Sequence, residues 1–522
     1  MFQNEPLTDF TIQENRSLFT AALSAVDTAI KSGKYISRPI INGKEIQTSD
    51  SHEVFDPSEP LVNIGSVQYA NLEHVARAFQ SLKSGQKDWN NKSGQDRAAI
   101  IRKAGEIMKD KKHSLSALIV REAGKPWKEA DADVAEAIDF CIYYAQEMIK
   151  LSTPHKTAPV PGEDNIYFYR PRGIAVIIAP WNFPLAIACG MAAAALVAGN
   201  TTVLKPAEQT SLIAYELAKI FLEAGVPADA FAFLPGQGEI IGKAMVESPD
   251  TALICFTGSK AVGLEILKSA SVLANGQTHI KKVITELGGK NCIIIDEDAD
   301  LDEAIKGILY SAFGYSGQKC SACSRLIVHA DIYEILLTRL AEAAADLIVG
   351  AAKDPSSYFG PVIDKESQTR ILKTISDGEN GLKVLAKTKV PDKGYFVPGT
   401  IFRDLEEDHA IWKEEIFGPV LACMKADNFD HALKLANNSQ YALTAGLFSR
   451  SPKNIERAYK ELEAGNIYIN RACTGAMVCR QPFGGYKLSG IGSKAGGPDY
   501  LIQFMEPVCV SENTMRRGFA PE

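Results

Sequence analysis

Three residues in separate segments carry side chains that together could transform a carbonyl group. Cys320 lies in GYSGQKCSACSR, where glycines and small residues leave a thiol accessible. Glu286 lies thirty-four residues upstream in ITELGGKN, and Asn182 lies between two prolines in APWNFP. A thiol can attack a carbonyl carbon, a side-chain amide can hold the oxyanion, and a carboxylate can activate water to hydrolyse the product.

Each of these residues also has an ordinary structural interpretation. The chain contains ten cysteines, and a free cysteine usually packs as a small buried hydrophobe. Glu286 alone is typical of a salt bridge, and Asn182 alone of a turn. Cys320 and Cys323 have the spacing of a redox pair, but their segment lacks a thioredoxin-like setting. The three segments together favour catalysis more than any one of them does.

The composition is that of an ordinary soluble protein, long enough for two or three domains. Of 522 residues, 46% are hydrophobic and 23% charged. The net charge of −7, with no basic stripe, argues against nucleic acid as a partner. The polar, acidic first sixteen residues are not a secretory signal, and the cysteines lack disulfide-scaffold spacing. We therefore expect a reducing, cytoplasmic location.

Neither a membrane span nor a metal site is expected. The apolar stretch 173–199 is interrupted by Pro180, Asn182 and Pro184, which predicts a buried strand, a loop and a buried helix. The eight histidines are scattered singly, without HExxH or close Cys/His clusters.

Hydrophobic patterning predicts the elements that position the three side chains. A helical face at 14–31 predicts an N-terminal arm, and PIINGKEI at 39–46 predicts a hairpin with a turn at Asn42 and Gly43. Helical patterns dominate from about 70 to 150, and strands then alternate with helices over 173–289 and 292–348. The alternation predicts an α/β fold in which helices cover both faces of parallel sheets.

One glycine-rich turn offers a place for a dinucleotide. Gly236, Gly238 and Gly242 are spaced one residue too widely for the usual GxGxxG fingerprint. Gly258 and Ser259 directly follow a strand, so a phosphate can approach the backbone and the N–H groups that begin the next helix. A simple turn between a strand and a helix remains the alternative.

Eight segments, in order along nearly the whole chain, resemble the aldehyde dehydrogenase superfamily. They are IIAPWNFPL (177–185), VLKPAEQT (203–210), LPGQGEIIG (234–242), CFTGSKAVG (255–263), TELGGKN (285–291), GQKCSA (317–322), EEIFGPV (414–420) and PFGGYKLSG (482–490). Within the superfamily, NEPLTDF near the start, REAGKPWKEADADVAEAIDF (121–140) and NRACTGAMVCRQPFGG (470–485) resemble the Δ1-pyrroline-5-carboxylate dehydrogenases, which oxidise glutamate γ-semialdehyde to glutamate.

The resemblance implies an aldehyde dehydrogenase fold with a Rossmann-like NAD domain, an α/β catalytic domain and a small β flap for oligomerisation. It assigns 1–152 and 172–287 to the N-terminal arm plus NAD-binding domain, 288–488 to the catalytic domain, and 153–171 and 489–522 to the oligomerisation hairpin and C-terminal tail. The resemblance also implies a homodimer or higher homo-oligomer. The tail 508–522 is expected to wrap a neighbouring subunit, with fraying of its last eight residues as the alternative.

NAD is the cofactor that the resemblance implies. Lys205 and Glu208 are expected to bind the adenosine ribose, and Glu415 and Phe417 the nicotinamide ribose. The Ser259 hydroxyl and nearby backbone would hold the pyrophosphate. The full expected cofactor-binding set is Ile178, Pro180, Trp181, Lys205, Ala207, Glu208, Gly238, Gly242, Thr257, Gly258, Ser259, Val262, Leu287, Glu415 and Phe417.

The resemblance also assigns the catalytic roles. The Cys320 thiolate attacks the aldehyde, the Asn182 amide and the Cys320 N–H hold the oxyanion, and hydride transfer to NAD leaves a thioester. Glu286 then activates the water that hydrolyses it, which makes a CoA-acylating enzyme a poor alternative. No histidine lies in the motifs, so a Cys-His hydrolase is equally poor. A dehydrogenase for succinate or aminoadipate semialdehyde and a catalytically idle homologue stay open.

A carboxylate-bearing substrate is expected near Ser321 and the loop 474–476, whose N–H groups are accessible. Phe183 and Phe483 would line its aliphatic part, and Glu136 would face an α-ammonium group or simply lie on a helix surface. The expected substrate-binding set is Glu136, Phe183, Ser321, Gly475, Ala476 and Phe483. The sequence leaves open whether the chain works beside a proline dehydrogenase.

Overall fold

The computed structural model describes residues 2–515 and has the predicted α/β architecture. The helices are α1 (Gln13–Lys31), α2 (Leu72–Asn91), α3 (Gly94–Asp110), α4 (Lys112–Ala123), α5 (Trp127–Leu151), α6 (Ala186–Val197), α7 (Ser211–Ala224), α8 (Lys243–Glu247), α9 (Lys260–Ser271), α10 (Leu301–Phe313), α11 (Tyr333–Ala345), α12 (Lys365–Glu379), α13 (Ala410–Lys413), α14 (Phe429–Asn437) and α15 (Pro452–Glu461).

The strands belong to two large sheets and three small ones. They are β1 (Ile36–Ser37), β2 (Ile40–Ile41), β3 (Lys44–Glu45), β4 (Ser51–Asp56), β5 (Glu59–Gln68), β6 (His155–Lys156), β7 (Glu163–Pro171), β8 (Ile174–Ile178), β9 (Thr201–Lys205), β10 (Phe231–Phe233), β11 (Thr251–Thr257), β12 (Lys282–Glu286), β13 (Asn291–Ile295), β14 (Cys323–His329), β15 (Lys383–Lys387), β16 (Thr400–Arg403), β17 (Val420–Ala426), β18 (Tyr441–Ala442), β19 (Thr444–Phe448), β20 (Asn466–Ile469), β21 (Tyr486–Lys487), β22 (Gly490–Ile491) and β23 (Met505–Asn513).

The first large sheet has the strand order β22-β12-β11-β8-β9-β10-β2-β3. Its five central strands run parallel, and β22 and the β2–β3 hairpin add antiparallel strands at the two edges. Strands β8, β9 and β11 are buried along almost their whole length, as expected for parallel strands covered on both faces. The parallel strands therefore end together at one edge, where a site can form.

The second large sheet has the order β15-β16-β17-β14-β13-β19-β20 and is parallel except for β15. Successive residues of β13 face different cores. Cys292 and Ile294 pack into one core, whereas Ile293 and Ile295 pack into the other. This alternation follows from the two-residue period of a strand and shows that both faces of the sheet are covered.

A three-stranded antiparallel flap contains β6, β7 and β23. Strand β23 pairs with β7 of the same chain from Met505 opposite Pro171 to Asn513 opposite Glu163. The predicted C-terminal tail thus forms a strand over 508–513, and its segment 516–522 lies outside the described residues. Two further small sheets are formed by β1, β5 and β4 and by β18 and β21.

Most element predictions are confirmed, with small differences at their ends. The predicted hairpin is present, with φ of 51° at Asn42 and 69° at Gly43. Within the predicted alternation, α9 begins at Lys260 because Ser259 is its N-cap. A wider π-helical turn over Gly238–Gly242 precedes α8. Among the described helices, none combines the length and the apolar character that a membrane crossing requires.

Candidate active site

Cys320 follows a short turn whose backbone is unusual for the residues it contains. Tyr315, Ser316 and Gly317 have φ of 51°, 58° and 65°, the left-handed region that bulky side chains rarely adopt. The Tyr315 hydroxyl donates to the Ala123 carbonyl at 2.9 Å, and Ser316 donates to a backbone carbonyl at 2.7 Å. These buried bonds hold the strained turn in place and so fix the loop that carries the thiol.

The Cys320 thiol is shielded in this loop. Burial raises its pKa, and the negative charges of Glu286 and Glu415 raise it further. The Ser321 N–H has the opposite effect because it stabilises the thiolate. The ammonium of the preceding residue, Lys319, is engaged in an ion pair with Glu129 at 2.7 Å.

Asn182 lies beside this loop with its amide already oriented. It is 5% exposed, and its Nδ2 donates to the Gln318 carbonyl at 2.9 Å. A carboxamide nitrogen has two hydrogens, so the second one remains for an oxyanion at Cys320. The bond to Gln318 therefore fixes the Asn182 side chain in a position suited to an oxyanion donor.

Glu286 ends β12, where it pairs with Thr257 on one side and Gly490 on the other. Its Oε2 is buried and has no hydrogen-bond partner among residues 2–515. Burial raises the pKa of this carboxyl to about 8, while the Gly485 N–H and the Lys494 ammonium act to lower it. A buried carboxylate with a free oxygen and a pKa near neutrality has the properties of a general base.

A cleft of about 890 Å³ runs from the Cys320 loop along the ends of the first sheet. All fifteen residues of the expected cofactor-binding set line it, together with Asn182 and Cys320. The parallel strands explain why: most of these residues lie at or just after the ends of β8, β9, β11 and β12. Their roles in binding remain predictions, but the sheet does bring the motifs to one surface.

The two expected ribose-binding carboxylates are held by backbone N–H groups. Glu208 accepts from Gly238 N at 2.9 Å and from Lys205 Nζ at 3.0 Å, both through Oε1, so Oε2 remains available. Glu415 accepts from Gly289 N at 2.9 Å. A Cβ at Gly288 would lie 2.1 Å from Glu415 Oε2, so glycine is required there for the carboxylate to pack.

At the expected phosphate end of the cleft, Ser259 caps α9 by accepting from Val262 N at 3.4 Å. The other N–H groups of the first turn of α9 stay available, and a helix N-terminus favours a negative group. Trp181 and Phe417 meet edge to face with ring centroids 5.5 Å apart near the Cys320 end.

The expected carboxylate-binding residues are also brought together. Ser321 Oγ and Thr474 Oγ1 are 2.7 Å apart, although the two residues are 153 positions apart in sequence. Gly475 has φ of 77°, and a Cβ there would come no closer than 4.0 Å to Tyr310. Gly475 therefore borders open space, whereas Ser321 and Thr474 are buried. Phe483 pairs with Ala495 in an isolated bridge that fixes the following glycines.

Glu136 is more buried than a helix-surface residue. Burial and the charge of Asp133 raise its pKa to about 8, and its charge in turn raises the pKa of Cys320. Its helix also holds Asp133, which pairs with the fully buried Lys125 at 2.7 Å. The Lys125 ammonium lies 3.8 Å from the centroid of the Phe183 ring and thereby fixes that ring.

Other residues of the cleft were not predicted from the sequence. Glu366, Ser367 and Arg370 line it from α12, and the Arg370 guanidinium donates to the Ile416 carbonyl at 2.6 Å. These residues come from a helix whose sequence has no distinguishing motif. Only the packing of α12 against the segment that carries Glu415 shows that they face the cleft.

One surface group within the described chain has metal-ligand chemistry. Glu297, His329 and Asp331 have ligand atoms within 4.8 Å of one another, but both carboxylates are largely exposed. The group does not line the cleft. The expectation that the protein needs no metal remains a prediction.

Comparison with known proteins gives a consistent family assignment. The sequence profile described as the aldehyde dehydrogenase family matches residues 45–510. The 1-pyrroline-5-carboxylate dehydrogenase 1 of Halalkalibacterium halodurans is 45% identical over 98% of this chain and 99% of its own length. The Bacillus subtilis 1-pyrroline-5-carboxylate dehydrogenase is 44% identical over the same shares of the two chains.

Solved structures agree with these relatives. A Thermus 1-pyrroline-5-carboxylate dehydrogenase with bound NAD has a TM-score of 0.96 and 40% identity, covering 98% of this chain and 99% of its own. Proline utilization A (PutA) from Bdellovibrio bacteriovorus has a TM-score of 0.98 and 50% identity over the whole of this chain. The chain spans 54%, about half, of that longer protein. The profile, the relatives and the structures cover nearly every residue, and the chain belongs to the aldehyde dehydrogenase family.

Proposed function

We propose that this protein oxidises L-glutamate γ-semialdehyde, which forms from Δ1-pyrroline-5-carboxylate, to L-glutamate in proline catabolism with NAD as oxidant. The observation that carries the proposal is that Cys320 and Asn182 line one cleft with the expected cofactor-binding residues, while the Glu286 carboxyl lies close enough for its charge to raise the pKa of Cys320. Relatives 44–46% identical over nearly the full length carry the name 1-pyrroline-5-carboxylate dehydrogenase, which supports the choice of substrate.

In the first step, Cys320 acts as the nucleophile. Once its proton has passed to solvent, Cys320 Sγ forms a bond to the aldehyde carbon, the C=O π bond breaks, and the carbonyl oxygen becomes an oxyanion. The second N–H of the Asn182 amide and the Cys320 backbone N–H stabilise that charge. Because the Asn182 amide is already fixed by Gln318, little reorganisation is needed when the charge develops.

The cleft fits NAD in its size and in its donors. Glu208 keeps one oxygen for ribose hydroxyls, the first turn of α9 would hold the pyrophosphate, and Glu415 lines the same cleft as Cys320. When bound, NAD accepts the hydride that converts the tetrahedral adduct into a thioester. The negative charge of Glu208 would oppose a 2′-phosphate, so we propose a preference for NAD over NADP.

Hydrolysis of the thioester requires a base, and Glu286 provides it. The free Oε2 can take a proton from a water molecule, whose oxygen then attacks the thioester carbon. The C–S bond breaks, the Cys320 thiolate leaves, and the carboxylic acid is released. A pKa of about 8 makes the carboxylate a stronger base than an exposed glutamate, while enough of it stays charged near neutral pH.

The substrate carboxylate is proposed to bind Ser321 and the N–H groups of Gly475 and Ala476. The hydroxyl pair of Ser321 and Thr474 supports this choice, since the hydroxyl that accepts from the other keeps its own hydrogen to donate to a carboxylate. The rings of Phe183 and Phe483 would border the aliphatic chain. Glu136 would face the α-ammonium group, whose positive charge would also favour ionisation of this buried carboxyl.

At the level of the chain, we propose the arm and NAD-binding part at 1–152 and 172–287 and the catalytic part at 288–488. The oligomerisation part comprises 153–171 and 489–522, and a homodimer or higher homo-oligomer would form through the flap. Within the last part, β22 also pairs with β12 of the first large sheet. The ten free cysteines support a reducing, cytoplasmic location.

Association with a proline dehydrogenase is a further part of the proposal. Its support is that PutA proteins, named for proline utilization, contain a region that matches this whole chain. A proline dehydrogenase produces the pyrroline carboxylate that this chain would consume.

Steady-state kinetics test the substrate directly. We expect kcat/KM for Δ1-pyrroline-5-carboxylate to exceed that for succinate semialdehyde, aminoadipate semialdehyde and hexanal, each measured by NADH formation. Equal values for the pyrroline carboxylate and hexanal would contradict a carboxylate-binding site and indicate a general aldehyde dehydrogenase. A higher kcat/KM for another semialdehyde would mean that this other compound is the substrate, while the proposed reaction mechanism would still hold.

A further inference from the structure

Lys494 ties three stretches of backbone together beside the Glu286 carboxylate. Its ammonium donates to the Gly465 carbonyl at 2.7 Å, to Asn466 Oδ1 at 3.2 Å and to the Gly484 carbonyl. The side chain is partly buried, and burial lowers its pKa. An ammonium with three oxygen acceptors is held in one place rather than moving in solvent.

Gly484 packs closely against both Lys494 and the proposed base, Glu286. A Cβ at Gly484 would lie 2.8 Å from Glu286 Oε1 and 3.4 Å from the Lys494 Cα. The carboxylate and Lys494 therefore both pack against the side of Gly484 where a side chain would lie, and glycine leaves room for them there. Since Lys494 holds the Gly484 carbonyl and the Gly485 N–H favours the charged carboxylate, the lysine fixes the turn on which the base rests.

The charge of Lys494 acts on the same carboxylate without a direct ion pair. No ion pair within 4.0 Å joins the two side chains in the described structure. The ionisable groups that face Glu286 are Lys494 and, on neighbouring elements, Cys320, Cys255 and Tyr500. Thiols and a phenol are neutral or become negative, so Lys494 is the positive member of this set.

We propose that Lys494 is a positioning residue, which fixes the Gly484–Gly485 turn and places one positive charge beside the Glu286 base. This inference deepens the proposed function and rests on it. It assigns to Lys494 a role in thioester hydrolysis, with no contact to the substrate and no role in hydride transfer.

Lys494→Gln, which keeps a donor but removes the charge, is the main test, and Lys494→Arg keeps the charge. We expect Lys494→Gln to keep the rapid first turnover of NADH and to slow the steady state that follows. The acid limb of the steady-state rate should move up by about one pH unit, the effect of losing one nearby opposite charge. The deficit at neutral pH, about tenfold, should then disappear at alkaline pH, and Lys494→Arg should restore most of the rate.

Lys487→Gln is the matched control, since this exposed lysine lies in the same segment but binds Ser439 and Glu463. The double variant Glu286→Gln/Lys494→Gln should be no slower than Glu286→Gln, because Lys494 acts through the base. An unshifted acid limb in Lys494→Gln would overturn the role proposed for Lys494 and leave the proposed function intact. An equal loss of rate at every pH and in the first turnover would have the same meaning. Normal turnover in Glu286→Gln would overturn the base assignment, and this inference with it.

Discussion

At the scale of single residues, two thiols three positions apart have different surroundings. Cys320 borders the cleft, whereas Cys323 begins β14 and its buried thiol contacts the Arg325 carbonyl at 3.4 Å. We expect Cys320→Ala to abolish NADH formation and to leave NAD binding unchanged, because no other thiol borders the described cleft. Activity assays and NAD titration by calorimetry check this, with Cys323→Ala as the control. Substantial turnover in Cys320→Ala would exclude it as the nucleophile.

The proposed role of the Glu286 carboxyl predicts burst kinetics when this residue is replaced. Glu286→Gln cannot accept the water proton, so we expect about one NADH per active site and then very slow turnover. In the unchanged protein, the steady-state rate should rise with pH through about 8, because only the ionised carboxylate is a base. Stopped-flow fluorescence of NADH measures both phases. A loss of the first turnover as large as the loss of the steady state would mean that Glu286 activates the thiol.

Ser321 gives a prediction about selectivity. Ser321→Ala removes one hydroxyl from the pair with Thr474, so KM for the pyrroline carboxylate should rise by roughly tenfold, the effect of one buried hydrogen bond. The effect on kcat should be smaller, because the contact is far from the reacting carbon. Hexanal, which lacks a carboxylate, serves as the internal control in steady-state assays. An equal loss for both aldehydes would argue against a carboxylate site.

At this scale the sequence was a good guide where function depends on strand ends and a poor one where it depends on packing. The family resemblance assigned Lys205 and Thr257 to the cofactor site, and in the structure each ends a buried strand of one parallel sheet. Arg370 and Lys494 could not be assigned from the sequence, because nothing in their own segments indicates what lies opposite. Their partners are 46 and 10 to 29 residues away and become neighbours only after folding.

At the scale of elements, one buried carboxylate joins two helices. Glu122, near the end of α4, accepts from Leu212 N at 2.7 Å and Ile213 N at 2.9 Å in the first turn of α7. Glu122 lies on α4 but takes the place of a side-chain N-cap for α7, and a helix N-terminus favours such a negative group. Burial nevertheless raises its pKa to about 8, so ionisation in the folded state is costly.

Glu122 therefore predicts how stability depends on pH. Its folded pKa of about 8 exceeds the ordinary value of 4.5, so its contribution is complete below 4.5 and is lost as the pH rises through 8. Glu122→Gln should weaken this slope and cost about 1–3 kcal/mol, because an amide cannot accept from both N–H groups. Urea unfolding at acidic and alkaline pH tests it, with Glu223→Gln, an exposed residue near the end of α7, as the control. An unchanged slope would show that Glu122 is ionised throughout.

The elements themselves were mostly predictable because hydrophobic period and caps are local properties. The helix over Leu301–Phe313 and the strand–helix alternation follow directly from the sequence pattern. The left-handed turn at Tyr315 and Ser316 does not, because neither residue favours positive φ. Contacts with Ala123 and Gly360, distant in sequence, hold that turn.

At the scale of the whole molecule, the proposed homo-oligomer depends on the flap formed by β6, β7 and β23. Ending the chain after Phe504 removes β23 and leaves one edge of β7 unpaired, whereas ending it after Met515 keeps the strand. We expect the shorter form to lose the oligomer or to aggregate, since an unpaired edge seeks another strand. Light scattering after gel filtration measures the mass of both forms. An unchanged oligomer in the shorter form would place the interface elsewhere.

The first large sheet also has a consequence for synthesis on the ribosome. Strand β12, which ends at Glu286, is completed on its outer side by β22, which is made about two hundred residues later. At a rate of about 5–20 residues per second, the nascent chain has an open strand edge beside Glu286 for ten seconds or more. The growing chain therefore needs protection from strand pairing with neighbouring chains on the same messenger RNA during that interval.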